Sequence, residues 1–309
     1  MRAISAAGFS GAAIHIKMLD DRARTESYLA AIAEVVKPGD VVIDVGTGTG
    51  VLAVAAAKAG AGHVFAIEAS SIGTVASSVF EANGLTDRIT LVQGWSTQVD
   101  LPERADVMVS EIIGNEPLSE RVLEATADAI KRHLKPNARF VPHAVRVYGI
   151  PVEVPADILA QHRFTAASVH RWRDWYGIDF GLLEAARHTT PYLFLIRPHK
   201  TRDWVRLSET CLLAEIDLST ATPRLEATAT TRTRTPGRVD GVLMYFVLRL
   251  SPGIELSLHP DAADDACSWQ VPVWLLPEPL PVEQNERLSI TYSYRGSRKQ
   301  SRVEVARAT

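Results

Sequence analysis

Apolar positions along the first half of the chain follow two alternating rhythms. Short continuous apolar runs, VVIDV (41–45), HVFAIEA (63–69), RITLVQG (88–94) and ADVMVSE (105–111), read as strands. Between and after them lie stretches with helical spacing: the Ala-rich GVLAVAAAKAG (50–60), a segment over 71–82, and a longer one over roughly 118–134 closed by Lys135-Pro136-Asn137. Ahead of the first strand, HIKMLDDRARTESYLAAIAEVV carries helically spaced apolar residues from His15 and stops before Pro38-Gly39. Strands alternating with helices predict an α/β fold, a doubly wound, Rossmann-like parallel sheet.

After about Pro142 the pattern changes. AVRVYGIPVEV, GVLMYFVLRL, SWQVPVWLL and RLSITYSY are short, β-rich and set apart by Pro and Gly turns. The expected organisation is a Rossmann-like domain with an N-terminal helix over 1–142, then an all-β domain over 143–309. Within the second, ADILAQHRF and FGLLEAAR make 157–190 a helical insertion. TATTRTRTPGR (228–238) is a short Thr/Arg-rich stretch, and neither repeats nor low-complexity segments occur.

Composition narrows the class. A chain of 309 residues with 46% hydrophobic and 22% charged residues has a sizeable core and the balance of a soluble globular protein. A net charge of −3 argues against a broad nucleic-acid-binding face. Cys211 and Cys267 have no metal-ligand spacing and make a disulfide framework unexpected, which fits a reducing cytoplasm. No uncharged apolar run reaches the roughly 18 residues of a membrane span. The opening MRAISAAGFSGAAIHI is interrupted by Ser, Gly and His and reads as mature chain. The expectation is a cytoplasmic protein with neither nucleic-acid nor membrane partners.

Two stretches carry chemistry. In IDVGTGTGVLAVAAA, Asp44 ends the first strand, and Gly46, Gly48 and Gly50 turn into the first helix of the sheet. Glycines there let the backbone approach a ligand. A pyrophosphate reader prefers G-x-G-x-x-G, but Val51 stands where its third glycine belongs, so the loop is G-x-G-x-G. Glu68, ending the second strand, is placed to meet a ribose hydroxyl pair. A nucleoside without pyrophosphate satisfies both features, and S-adenosyl-L-methionine is the expected cofactor, leaving as S-adenosyl-L-homocysteine. The second stretch, SEIIGNEPLSE (110–120), sets Glu111 and Glu120 at the ends of a segment that Gly114 and Pro117 break. From the residues alone, two readings stand: solvated loop acids, or acids converging on one cation.

The chain resembles the protein arginine methyltransferase family over most of its length. IHIKMLDDRART (14–25) resembles that family's helix ahead of the cofactor site, and VVIDVGTGTGVLAVAAAKAGAGHVFAIEAS resembles its cofactor motif. SEIIGNEPLSE resembles its double-glutamate loop, and RFVPHAVRVYGIPVE the hand-over into its β-barrel. RWRDWYGIDF (171–180) is similar to the start of its helical dimerisation arm, and CSWQVPVW (267–274) to a loop that normally reads Thr-His-Trp. The resemblance implies a homodimer through the 157–190 arm and an arginine or arginine-containing substrate. It implies that Glu111 and Glu120 hold the guanidinium and that Arg24 pairs with the cofactor carboxylate. Asp44, Gly46, Gly48, Gly50, Glu68 and Ser96 would complete the cofactor site; Trp269, Ser268 and Met18 would wall the substrate pocket. No metal is implied.

The departures concern the substrate. Ser268 replaces the family's histidine, so a histidine–carboxylate pair is expected to be lost. Ser5 and Phe9 fall where a tyrosine pair belongs, Thr97 where an acid meets the adenine amine, and Ile112-Ile113 where Trp-Met is usual. They tilt the expected acceptor towards free L-arginine, with peptide arginine or a non-guanidine acceptor as the alternatives. Elsewhere, His15 reads as a packing or hydrogen-bonding residue and His143 as a hinge. His259 with Asp261, Asp264 and Asp265 reads as a solvated acidic turn, and Trp172 and Trp175 as apolar anchors of the arm.

Two carboxylates suit guanidinium chemistry. The group stays charged below a pH of about 12, so its nitrogens are poor nucleophiles. A carboxylate pair grips its planar edge through charge-assisted hydrogen bonds and aims one nitrogen at an electrophile. Two adjacent acids also repel when the pocket is empty, a cost that a bound cation relieves.

Overall fold

The structure is a computed structural model and describes residues 11–186, 190–296 and 301–308. Ser5 and Phe9, the expected seat of the replaced tyrosine pair, lie outside the described residues. Helices α1 (Ala12–Asp20) and α2 (Arg22–Val35) lead into strand β1 (Val41–Val45), α3 (Val51–Lys58), β2 (His63–Glu68), α4 (Gly73–Ala82), β3 (Ile89–Gln93), β4 (Ala105–Ser110), α5 (Val122–Arg132) and β5 (Leu134–Val141). The five strands are parallel and stand in the order β3-β2-β1-β4-β5. The winding reverses between β1 and β4, and ligands of such sheets sit outside the strands' carboxyl ends at that switch point. Both candidate loops leave there: the glycine loop follows β1 and the acid loop follows β4.

Two boundaries differ from the sequence reading. The N-terminal helical stretch is two helices, because buried Asp21 ends α1 and caps α2, its Oδ1 accepting from Arg24 N at 3.1 Å. The helix expected over 118–134 spans only α5, since Arg121 takes a left-handed φ of 68° at its N-cap. Lys135-Pro136-Asn137 falls inside β5, where the register with β4 shifts between Ala105 and Val107. A proline is tolerated at such an irregularity, where a ladder hydrogen bond is already missing.

The second half is the expected antiparallel domain. It comprises β6 (Ala144–Glu153), α6 (Ala156–His162), α7 (Ala166–Tyr176), β7 (Tyr192–Ile196), β8 (Val205–Arg206), β9 (Cys211–Asp217), β10 (Leu225–Arg232), β11 (Gly237–Ser251), β12 (Ile254–Ser257), β13 (Val271–Val282), β14 (Arg287–Tyr294) and β15 (Arg302–Arg307). One sheet runs β7-β13-β11-β6-β8, with β12 on β11 and β9 on β6; the other runs β10-β14-β15. β9 lies against β10 and β13 against β15, so the sheets meet along two edges, as a barrel requires. FGLLEAAR forms a single 3₁₀ turn over Gly181–Ala185 rather than a longer helix. Trp172 stacks edge-on between Phe164 and Phe180, at 6.1 Å from each.

The two halves share one continuous apolar core that runs from Ile43 and Met108 to Phe246 and Tyr292. α2 bridges them, packing on β5, β11 and β12, and Ser251 Oγ on β11 donates to Glu34 Oε2 at 2.6 Å. Among the described residues no helix is long and apolar enough to cross a membrane.

Candidate active site

A cavity of about 340 Å³ opens at the switch point. Gly46, Gly48 and Glu68 line one side; Glu111, Glu120 and Trp269 line the other, with Arg24 and Met18 between. Ser96, Thr97 and Ser268 also reach the lining, so ten of the twelve residues picked from the sequence as site residues converge on one space. Asp44 and Gly50 do not. Gly50 stands at φ 87°, and a Cβ there would lie 2.5 Å from the Phe80 ring on α4, so its constraint is the packing of the start of α3 against α4. Asp44 is fully buried one layer below, its Oδ2 accepting from Thr47 Oγ1 at 2.6 Å. Burial pushes its carboxyl up to about 7 against the Thr47 and Ala53 hydrogen bonds.

The glycine side is built from local backbone. Gly46 N and Thr47 N donate to Ile67 O at 2.9 and 3.0 Å, folding the loop over the end of β2. Gly48 N donates to Glu68 Oε2 at 2.9 Å and Ser70 N to Oε1 at 2.7 Å. Each carboxylate oxygen keeps a lone pair for a further donor. Gly46 sits at φ 76°, and a Cβ there would fall 2.7 Å from Ile112 Cγ2, so a side chain would collide where the two loops face. His15 from α1 covers Gly48, the packing role expected of it.

On the acid side, the Arg24 guanidinium donates through Nη2 to Glu111 Oε2 and through Nη1 to Met18 O at 3.1 Å. It also lies 5.3 Å over the Trp269 ring. Burial raises the Glu111 carboxyl, with Arg24 and the Ile113 amide pulling it back. Glu120 has less help. Burial and the neighbouring Glu111 charge push it up to about 8, so it is protonated at neutral pH. The pair therefore carries about one negative charge when no second cation is present, the repulsion expected of adjacent acids. Tyr28 lies beside them, fully buried, and its hydroxyl makes no hydrogen bond among the described residues.

The loop 268–270 pins the acid loop from the second domain. Trp269 Nε1 donates to Ile113 O at 2.8 Å, and Gln270 N to Asn115 Oδ1 at 2.7 Å. Ser268 corrects an expectation. Its N and Oγ donate to Asp21 Oδ2 at 2.7 and 2.9 Å, so serine keeps a carboxylate link in place of the histidine pair. The sequence reading missed Asp21, Tyr28, Asn115 and Gln270. Only Asp21 carried a local signal, as a capping aspartate ahead of Arg22. Asp261 and Asp265 pair with Arg206 at 2.6 Å and Arg202 at 3.0 Å, so that turn is an ion-pair cluster.

The donor set fits S-adenosylmethionine. Among the described residues Arg24 Nε is buried with no hydrogen-bond partner, a donor left for an incoming carboxylate. The glycine floor offers backbone rather than side chains, and the Glu68 carboxylate lines the same cavity.

The chain resembles known methyltransferases in sequence and in fold. The family model for ribosomal protein L11 methyltransferases matches residues 21–180, and that for the arginine methyltransferase oligomerization subdomain matches 156–306. The chain is 32% identical over 285 residues to an arginine N(omega)-methyltransferase of Streptomyces achromogenes, covering 89% of this chain and 74% of that protein. It is 38% identical over 172 residues to a probable protein arginine N-methyltransferase 6 of Arabidopsis thaliana, covering 55% of this chain and 38% of that protein. The chain thus spans well under half of the plant relative's length. The structure superposes on a Trypanosoma brucei PRMT1 enzyme–prozyme complex with AdoHcy at a TM-score of 0.78 and 23% identity, covering 97% of this chain and 99% of that one, a likeness of fold. By these matches the chain belongs to the protein arginine methyltransferase family.

Proposed function

We propose that this protein is an S-adenosylmethionine-dependent arginine N-methyltransferase that methylates a guanidino nitrogen. The observation that carries the reading is the convergence of Glu111 and Glu120 with the glycine loop and Glu68 on one cavity. The Arg24 guanidinium on Glu111 supports this reading, since that carboxylate already accepts from a group of the same chemistry. The bound cofactor supplies an electrophilic methyl on a sulfonium. Glu111 and Glu120 grip the substrate guanidinium edge-on, hold its plane and draw proton density from the nitrogens that do not react. A cation arriving at Glu120 displaces its proton, so guanidine binding tightens as pH rises through about 8. Trp269 and Gln270 hold the acid loop, and Ser268 holds Asp21 ahead of Arg24.

Free L-arginine is the acceptor we favour. The Streptomyces relative bears the name arginine N(omega)-methyltransferase and matches along most of this chain. Peptide arginine is the second reading, favoured by relatives named as protein arginine methyltransferases. Isotope-labelled cofactor incubated with L-arginine, and separately with an Arg-rich peptide, decides between them; transfer to neither defeats both. We place the domain division at Pro142, between β5 and β6. We assign a homodimer through the arm, where Trp175, Tyr176 and Leu182 are 63%, 61% and 91% exposed; residues 187–189 lie outside the description. Two free, buried cysteines, Cys211 and Cys267, accord with a reducing cytoplasm.

A further inference from the structure

The reaction above employs Arg24, Glu68, Glu111 and Glu120, but the cavity holds two more opposed charges beside the second acid. Arg121 and Glu124 both line it. Arg121 directly follows Glu120 and holds a left-handed φ of 68°, a conformation that strains any residue with a Cβ. Strain of this kind persists where the surrounding structure demands it and clusters at ligand sites. Residues three apart at the start of a helix share a face. Here Arg121 Nε stands 3.8 Å from Glu124 Oε1, beyond hydrogen-bond reach.

The two partners are also held differently. Glu124 is fixed by Tyr294, whose hydroxyl lies 3.0 Å from both carboxylate oxygens, and its side chain is only 13% exposed. Arg121 is 42% exposed, yet its Nε is buried and makes no hydrogen bond among the described residues. A fixed anion and an underused cation, loosely paired beside the guanidinium clamp, match the two backbone charges of a free amino acid. In a peptide those charges are replaced by neutral amides. Three methylenes separate an arginine guanidinium from its α-carbon, and successive Cα atoms lie about 3.8 Å apart. A guanidinium on Glu120 thus keeps its α-carbon within reach of side chains rooted at 121 and 124.

We propose that Arg121 and Glu124 form the subsite for the substrate's zwitterionic end, with Arg121 taking the α-carboxylate and Glu124 the α-ammonium. This deepens the methyltransferase reading and rests on it: the pair makes the enzyme select a free amino acid over the same side chain in a polypeptide.

The test compares kcat/KM for four guanidines. They are L-arginine, agmatine (no carboxylate), Nα-acetyl-L-arginine (no ammonium) and Nα-acetyl-L-arginine amide (neither). The wild-type enzyme is expected to prefer L-arginine to agmatine by about tenfold or more. Arg121→Gln brings L-arginine down to the agmatine level and leaves agmatine within about twofold of wild type. Glu124→Gln, which keeps the shape of the side chain, does the same for L-arginine against its Nα-acetyl form. Equal use of all four substrates by wild type overturns the subsite while methylation itself stands. So does an equal loss on every guanidine in Arg121→Gln, the mark of a merely structural pair. Turnover of the amide but not of L-arginine overturns it too. Transfer to none of the four sinks the methyltransferase reading, and the subsite with it.

Discussion

The glycine loop and the acid loop face each other across one cavity but are held in opposite ways. Residues 44–70 hold the glycine loop: Gly46 N and Thr47 N bond to Ile67 O, and Gly48 N bonds to Glu68. The acid loop and the helix after it are tied to the second domain. Trp269 Nε1 reaches Ile113 O, Gln270 N reaches Asn115, and the Tyr292 and Tyr294 hydroxyls donate to Glu116 and Glu124. The glycine side is thus a property of one strand–loop–helix unit, whereas the acid side is braced from both halves of the chain.

Glu111→Gln breaks the comparison most severely. It is expected to lower kcat/KM for the guanidine about a thousandfold, as loss of a charged partner in a dry site does. Cofactor affinity, followed by calorimetry, should fall far less, by about fivefold, because Glu111 reaches the cofactor side only through its ion pair with Arg24. A tenfold loss or less would show that the acid loop is not the clamp.

Gly50→Ala tests the other half through stability. A Cβ at φ 87° meets the Phe80 ring at 2.5 Å, so urea unfolding should report a loss of about 2–3 kcal/mol. An unchanged midpoint would remove the packing role assigned to that glycine.

A smaller effect should be seen in the pH dependence of unfolding. Glu120 is raised from 4.5 to about 8 in the folded protein. Its neutral form is therefore favoured by folding, and the stability it contributes is complete below pH 4.5 and is lost as pH rises towards 8. Glu120→Gln should recover on the order of 2 kcal/mol at pH 9, allowing for partial solvent screening. Asp44, raised from 3.8 to about 7, retains part of the slope in that variant. Identical pH profiles for variant and wild type would contradict the crowding of the two acids.

Trp269→Phe sharpens the comparison with the mildest change. It keeps the ring against Phe246 but deletes the bond to Ile113 O, at a cost of about 1 kcal/mol. KM for the guanidine should rise about fivefold with cofactor affinity unchanged. Equal damage to both would mean that the two loops are not independently supported.

Much of this was legible in the residues. The alternating strands, the GTGTG turn, Glu68 and the paired acids each depend on local spacing, and local spacing is what a sequence displays. The break at Asp21 was legible in part, as a capping residue inside a helical pattern. The short α5 was hidden because Arg121 takes a conformation its identity does not favour. Gly50 looked like a ligand contact because turn glycines and packing glycines read alike until Phe80 is seen against one of them.

By itself, then, the sequence determined the two chain rhythms, the glycine turn and the presence of two acids bracketing a broken segment, since these follow from neighbours a few bonds apart. Tertiary structure decided that the acids crowd until one holds a proton near pH 8, that serine inherits the carboxylate link, and that Arg121 and Glu124 stand beside the clamp. Burial and charge proximity depend on distances through space, and the partners concerned, such as Asp21 and Ser268, lie at opposite ends of the chain.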